Sequence, residues 1–159
     1  MTDSPEASEY QIGDNTLERV LTMTKYTPQA HALGIELTRI EPPKVWGKVA
    51  YRRDLVGDPD TGVIAGGVIT TLLDQICGVA VVSGMQHPTP VATIDLRIDY
   101  MRPAIPGRDV IAEAQCYKRG KSVAFVRAVA YEDGPDNPIA HATAAFMINT
   151  ARPTKGGKA

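Results

Sequence analysis

The chain has 159 residues, with 17 Lys and Arg against 18 Asp and Glu, for a formal net charge of −1 at pH 7. That length fits one domain able to bury a core without disulfides or metals, and so even a balance gives no electrostatic case for a nucleic acid or a membrane surface as partner. Cys77 and Cys116 sit inside apolar patterns without CxxC spacing, which favours reduced thiols and a cytoplasmic setting, with a buried disulfide as the alternative.

Residues 1 to 14 are rich in Ser, Pro, Glu and Asp, which predicts a flexible tail and no signal peptide. Thr16 can cap a helix carrying Leu17, Val20, Leu21 and Met23 at helical spacing and ended by Pro28, and a short second helix from Pro28 to Leu33 would stop at Gly34. From Ile35 to Ile40, and again from Lys44 to Tyr51, apolar and polar residues alternate about EPPK, the pattern of a hairpin. The charged run from 52 to 62, RRDLVGDPDTG, reads as a loop.

The next stretch, GVIAGGVITTLLDQICGVAVVSG from Gly62 to Gly84, is apolar all round, as a helix enclosed by its own domain must be. Thr70, Thr71, Asp74 and Gln75 interrupt it too often for a good membrane span. Asp74 is the anomaly, because a carboxylate in a buried helix is costly unless it has partners or work.

Met85 to Pro90 leads to strands of period two. VATIDLRIDYM is expected to place Ala92, Ile94, Leu96, Ile98 and Tyr100 on one face and Thr93, Asp95, Arg97 and Asp99 on the other. Val110 to Tyr117 and Ser122 to Tyr131 pair across KRGK, and EDGPDNP leads to a last strand from Ile139 to Ile148. Small residues alternate along three of these strands: Ala112 and Ala114; Ala124, Val126, Ala128 and Ala130; Ala140, Ala142 and Ala144. A shared face of that kind lets a bulky helix lie close. The prediction is an α+β fold, a curved antiparallel sheet of five or six strands wrapped around one long central helix, with residues 15 to 150 as the domain and 151 to 159 as a second flexible tail. The opposite face keeps Val123, Phe125, Val129 and Tyr131, which implies a partner subunit.

On GVIAGGVITTLLD, VATIDLRIDYMRPAIPG and CYKRGKSVAFVRAVAYEDG taken together, residues 35 to 148 resemble the hotdog-fold thioesterases, and among them the phenylacetate-pathway type of acyl-CoA thioesterase. The resemblance implies the hotdog fold, dimers with a continuous sheet that often pair into tetramers, active sites at the dimer interface, and hydrolysis of acyl-CoA thioesters. Coenzyme A enters as part of the substrate, with no separate cofactor and no metal. The family's acid, general base or nucleophile, falls on Asp74. Its His-Gly-Gly turn falls on Ala65, Gly66 and Gly67, with the Gly66 N–H polarising the thioester carbonyl, and the polar residue of the next long strand falls on Thr93. The residue that holds the attacking water falls in the loop with Asp58 and Asp60, where Pro59 takes the nominal position.

The chemistry suits these residue types. A water or carboxylate nucleophile must stand beside the carbonyl carbon, and N–H donors must face the developing oxyanion. A helix N-terminus supplies unpaired N–H groups and a positive dipole end, and glycine lets substrate approach the backbone. Asp74 shares a helical face with Thr70, Thr71, Cys77 and Gly78, which makes Thr70 a further substrate-binding candidate; a structural alternative bonds Asp74 to Thr70 or to a partner-chain backbone. Arg102, Arg119 and Lys121 are candidates for the CoA phosphates. Ala65 has no hydrogen-bonding side chain where the family has histidine, which keeps open a non-catalytic acyl-CoA-binding protein of the same fold. His31, His87 and His141 show no metal spacing, and the lack of a histidine before the helix argues against a hydratase or dehydratase.

Overall fold

The computed structural model describes Glu18, Val20, Leu21, Thr24 and residues 27–148. The expectations for Thr16, Leu17 and Met23, and for the tails at 1 to 14 and 151 to 159, lie outside the described residues. Glu18, Val20, Leu21 and Thr24 are helical, and the buried Thr24 hydroxyl donates to the Val20 carbonyl at 3.0 Å. Pro28 opens the next helix, Pro28–Leu33 (α1), because a first-turn residue needs no N–H partner. Gly34, at φ 68°, ends it in the left-handed conformation that glycine adopts without steric cost.

Ile35–Glu41 (β1) and Lys44–Val49 (β2) form the expected hairpin, whose turn contains a cis Pro42–Pro43 peptide. The run read as a loop is more ordered than that. It holds a 3₁₀ turn, Arg53–Leu55, and a two-stranded ribbon of Val56–Asp58 (β3) and Val63–Ile64 (β4). Asp58 builds the tip, accepting from the Asp60 N–H at 3.1 Å and the Thr61 hydroxyl at 2.6 Å, so residues that suggest a loop fold a tight turn instead.

The long helix is Gly66–Ser83 (α2), and it is followed by Val91–Tyr100 (β5), Val110–Arg119 (β6), Val123–Tyr131 (β7) and Ala140–Ile148 (β8). The six long strands form one antiparallel sheet in the order β1-β2-β6-β7-β8-β5. Its register lines up the small residues: Ala112 faces Ala130, which faces Ala140, and Ala114 faces Ala128, which faces Ala142. Against these rows Leu72, Leu73, Ile76, Cys77 and Val81 of α2 lose all contact with solvent. Gly47 in β2 carries the same logic furthest, since a Cβ there would stand 2.3 Å from the Ile76 Cδ1 and 2.9 Å from the Glu36 carbonyl oxygen. By length and composition alone α2 could cross a membrane, yet 61% of it is buried inside the molecule. Cys77 and Cys116 are both free, so the disulfide alternative falls. Burial, and after it the neighbouring Asp74, pushes the Cys77 thiol well above its ordinary range and leaves it inert at neutral pH.

The unbroken alternation expected in β5 does not hold. Thr93 lies opposite Phe146 and Asp95 opposite Ala145, so Ile94 is an extra residue, a bulge. Val91, Thr93, Leu96, Ile98 and Tyr100 therefore share the helix-facing side with their buried partners on β8, whereas Ala92 and Ile94 leave it and Ile94 is 53% exposed. The bulge turns a threonine toward α2.

Candidate active site

Three polar contacts mark where α2 passes β5. The Thr93 hydroxyl donates to Asp74 Oδ1 at 2.8 Å. Asp74 is half-buried on α2, and its partner is Thr93 rather than Thr70, as the structural alternative had it. Nearer the start of α2, the Tyr100 hydroxyl donates to the Gly66 carbonyl at 2.7 Å and lies 3.1 Å from the Thr70 hydroxyl. The Thr71 hydroxyl reaches back along the helix to the Gly67 carbonyl at 2.9 Å.

The glycine turn itself is open. Ala65 is the residue before the helix and makes no side-chain cap; its N–H goes to the Leu55 carbonyl at 2.9 Å and its carbonyl accepts from Val68 at 3.0 Å. Among the described residues the N–H groups of Gly66 and Gly67 have no partner, and both residues are exposed at the positive end of the helix dipole. The chain does not itself require glycine here. A Cβ on Gly66 would meet only the Tyr100 ring end, at 3.5 Å, and one on Gly67 nothing within 4 Å. Glycine inside a helix costs about 0.5–1 kcal/mol relative to alanine. What that cost leaves is bare backbone facing outward.

A cavity of about 260 Å³ begins at Asp74 and Thr93 and continues between Gly78, Val79, Val82, Val91 and Phe146. Thr24, Thr27 and Gln75 join Asp74 and Thr93 in its lining, beside the aliphatic and aromatic side chains. Its size falls just below the range of about 300–1,000 Å³ usual for whole small-molecule sites.

The other candidates are not gathered there. Asp58 is committed to its own turn, where the Thr61 hydroxyl and then the Asp60 N–H hold its carboxyl below the usual range, and Asp60 is exposed beside it. Arg102 is a correction. Its N–H groups are all taken, by both oxygens of Glu132, by the side chain and carbonyl of Asn137, and by the Pro103 carbonyl, so nothing remains for a phosphate. Arg119 is half-buried and Lys121 exposed at the β6–β7 turn. The register row runs Thr93, Phe146, Ala124, Arg119, which sets Arg119 three strand spacings, about 14 Å, from Thr93 within one chain. Among the described residues no three His, Cys, Asp or Glu converge to hold a metal ion. Tyr100 and Phe146 escaped the sequence reading; the signal for Tyr100 was its place in step with Leu96 and Ile98 at the end of β5.

Comparison with known proteins gives the class. Residues 61–139 match the family model described as the thioesterase superfamily. The chain is 31% identical over 138 residues to the medium/long-chain acyl-CoA thioesterase YigI of Salmonella typhimurium, covering 77% of this chain and 86% of that one. A solved structure from Pseudomonas aeruginosa shares 38% identity over 83% of this chain and 98% of its own, with a TM-score of 0.76. The Escherichia coli PaaI protein of the phenylacetic acid degradation operon superposes with a TM-score of 0.77 over 88% of this chain and 97% of its own, at 17% identity, a likeness of fold. The chain belongs to the thioesterase superfamily and is a thioester hydrolase of hotdog architecture.

Proposed function

We propose that the chain hydrolyses an acyl-CoA thioester to the free acid and CoA, with Asp74 as general base or nucleophile and the Gly66 N–H as donor to the carbonyl oxygen. The observation that carries this is the open glycine turn with a carboxylate eight residues further along the same helix. As base, Asp74 takes a proton from water as the water oxygen bonds to the carbonyl carbon; as nucleophile, it forms an anhydride that water then cleaves. In either case the negative charge gathers on the carbonyl oxygen, faces the helix N-terminus, and returns to expel the CoA thiolate. Thr93 holds Asp74 in position.

Gly66 and Asp74 lie about 12 Å apart along one helix, at a rise of about 1.5 Å per residue, too far to serve the two ends of one carbonyl bond of about 1.2 Å. A complete site therefore takes the glycine turn of one copy and Asp74 of another. The β5 edge, with Ile94, Tyr100 and Met101 exposed, supports a homodimer formed along it, and exposed Tyr117, Phe125 and Met147 on the outer sheet face support further pairing into a tetramer. The cavity beside Asp74 suits the acyl or aryl group, and the likeness to YigI, a medium/long-chain acyl-CoA thioesterase, supports the same substrate class. Two reduced thiols fit a cytoplasmic setting. The test is a panel of short, long and aromatic acyl-CoAs with thiol release as the signal. Turnover of at least one is expected, and no hydrolysis across the panel would refute the reading.

A further inference from the structure

The glycine turn has no capping side chain in front of it, because Ala65 supplies only a methyl group. Two successive glycines are the most mobile start a helix can have, yet N–H donors stabilise a transition state only if they are already aimed. Backbone bonds from Ala65 to Leu55 and Val68 hold the residue in front of the turn, and the Gly66 carbonyl receives a side-chain anchor of its own from Tyr100. We propose that Tyr100, with Thr70 behind it, is a positioning residue that locks the Gly66–Gly67 peptide plane and makes the Gly67 N–H a second donor to the substrate carbonyl. This rests on the reading of the turn as the carbonyl-polarising element.

The protons are ordered by the partners. A carbonyl oxygen can only accept, so the single Tyr100 proton goes to the Gly66 oxygen at 2.7 Å. The 3.1 Å contact with Thr70 then takes its proton from Thr70. The chain runs Thr70 O–H to Tyr100 O–H to the Gly66 C=O, and that carbonyl belongs to the same peptide unit as the Gly67 N–H. A hydrogen bond into the oxygen of a peptide polarises the whole unit and strengthens its N–H as a donor, so the phenol acts on the far side of the plane it holds. The geometry keeps the N–H itself free: Gly67 is exposed, and a Cβ there would meet nothing within 4 Å. Tyr100 reaches the turn because the β5 bulge at Ile94 leaves Leu96, Ile98 and Tyr100 in step on the helix-facing side.

Tyr100→Phe keeps the ring and removes the proton. Its kcat should fall about five- to twentyfold, with kcat/KM falling equally and KM nearly unchanged, because the lost bond matters where charge develops. Thr70→Val should cost less, about two- to threefold, and the Tyr100→Phe/Thr70→Val pair should match Tyr100→Phe alone, since Thr70 acts only through the phenol. A second readout needs no turnover: in ¹H–¹⁵N spectra the Gly67 amide proton should move upfield in Tyr100→Phe while resonances of β6 and β7 stay in place. An unchanged kcat in Tyr100→Phe, additive effects in the double variant, or an unmoved Gly67 resonance overturns the proposal. If the wild-type protein turns over no thioester, the acyl-CoA reading fails, and the Gly67 resonance alone then decides the role of Tyr100.

Discussion

Glu132 and Asp74 are two carboxylates handled in opposite ways. The Glu132 side chain is 2% exposed and receives two N–H groups of Arg102 and the Ile105 N–H. Burial alone would raise it, but these hydrogen bonds win and hold it below its ordinary value. Arg102 in turn has every donor filled and ties the segment after β5 to the loop after β7. Asp74 has Thr93 as its hydrogen-bond partner among the described residues and opens on a cavity. At the head of the same helix the glycine turn keeps two N–H groups without a partner among the described residues. The difference lies in the bonds the fold has filled: the saturated pair holds the molecule together, and the unsaturated carboxylate keeps capacity for a group that is not part of the chain.

The comparison breaks most visibly at Arg102. Arg102→Ala leaves a buried carboxylate without its counter-ion and should lower stability by about 3–5 kcal/mol in denaturant unfolding, while the molecules still folded keep their kcat. Thr93→Val should do the reverse on a smaller scale, lowering kcat about tenfold through a misplaced Asp74 while stability moves by less than about 0.5 kcal/mol, because the site is exposed. The gentlest test is acid. The unfolded chain carries Glu132 near 4.5 and the folded one carries it lower, so the unfolded state binds the extra proton as pH drops. The contribution of Glu132 is complete above about 4.5 and is lost as pH falls through the lower folded value, a slope that Glu132→Gln should flatten.

Much of this was legible in the residue types. Alternating alanines foretold the face on which α2 rests, because a helix bearing Leu72, Leu73 and Ile76 needs small neighbours. The two glycines that open α2 and the lone acid within it drew attention to the candidate site. The β5 register was not legible: TID reads as ordinary alternation, and the extra residue at Ile94 shows only when Phe146 and Ala145 are seen as partners of Thr93 and Asp95. Nor was the fate of Arg102, since an arginine at a turn looks the same whether it awaits a phosphate or already holds Glu132. Both depend on contacts between residues far apart in the chain, on which local patterns are silent.

In the function proposed above, Asp74 does the chemistry and is not needed for the fold. Asp74→Asn preserves shape and one acceptor oxygen while removing the charge. Measured side by side with the wild-type protein on its best acyl-CoA, kcat should fall about 10²–10⁴-fold while the thermal midpoint stays within about 2 °C. A wild-type kcat in Asp74→Asn would contradict the account.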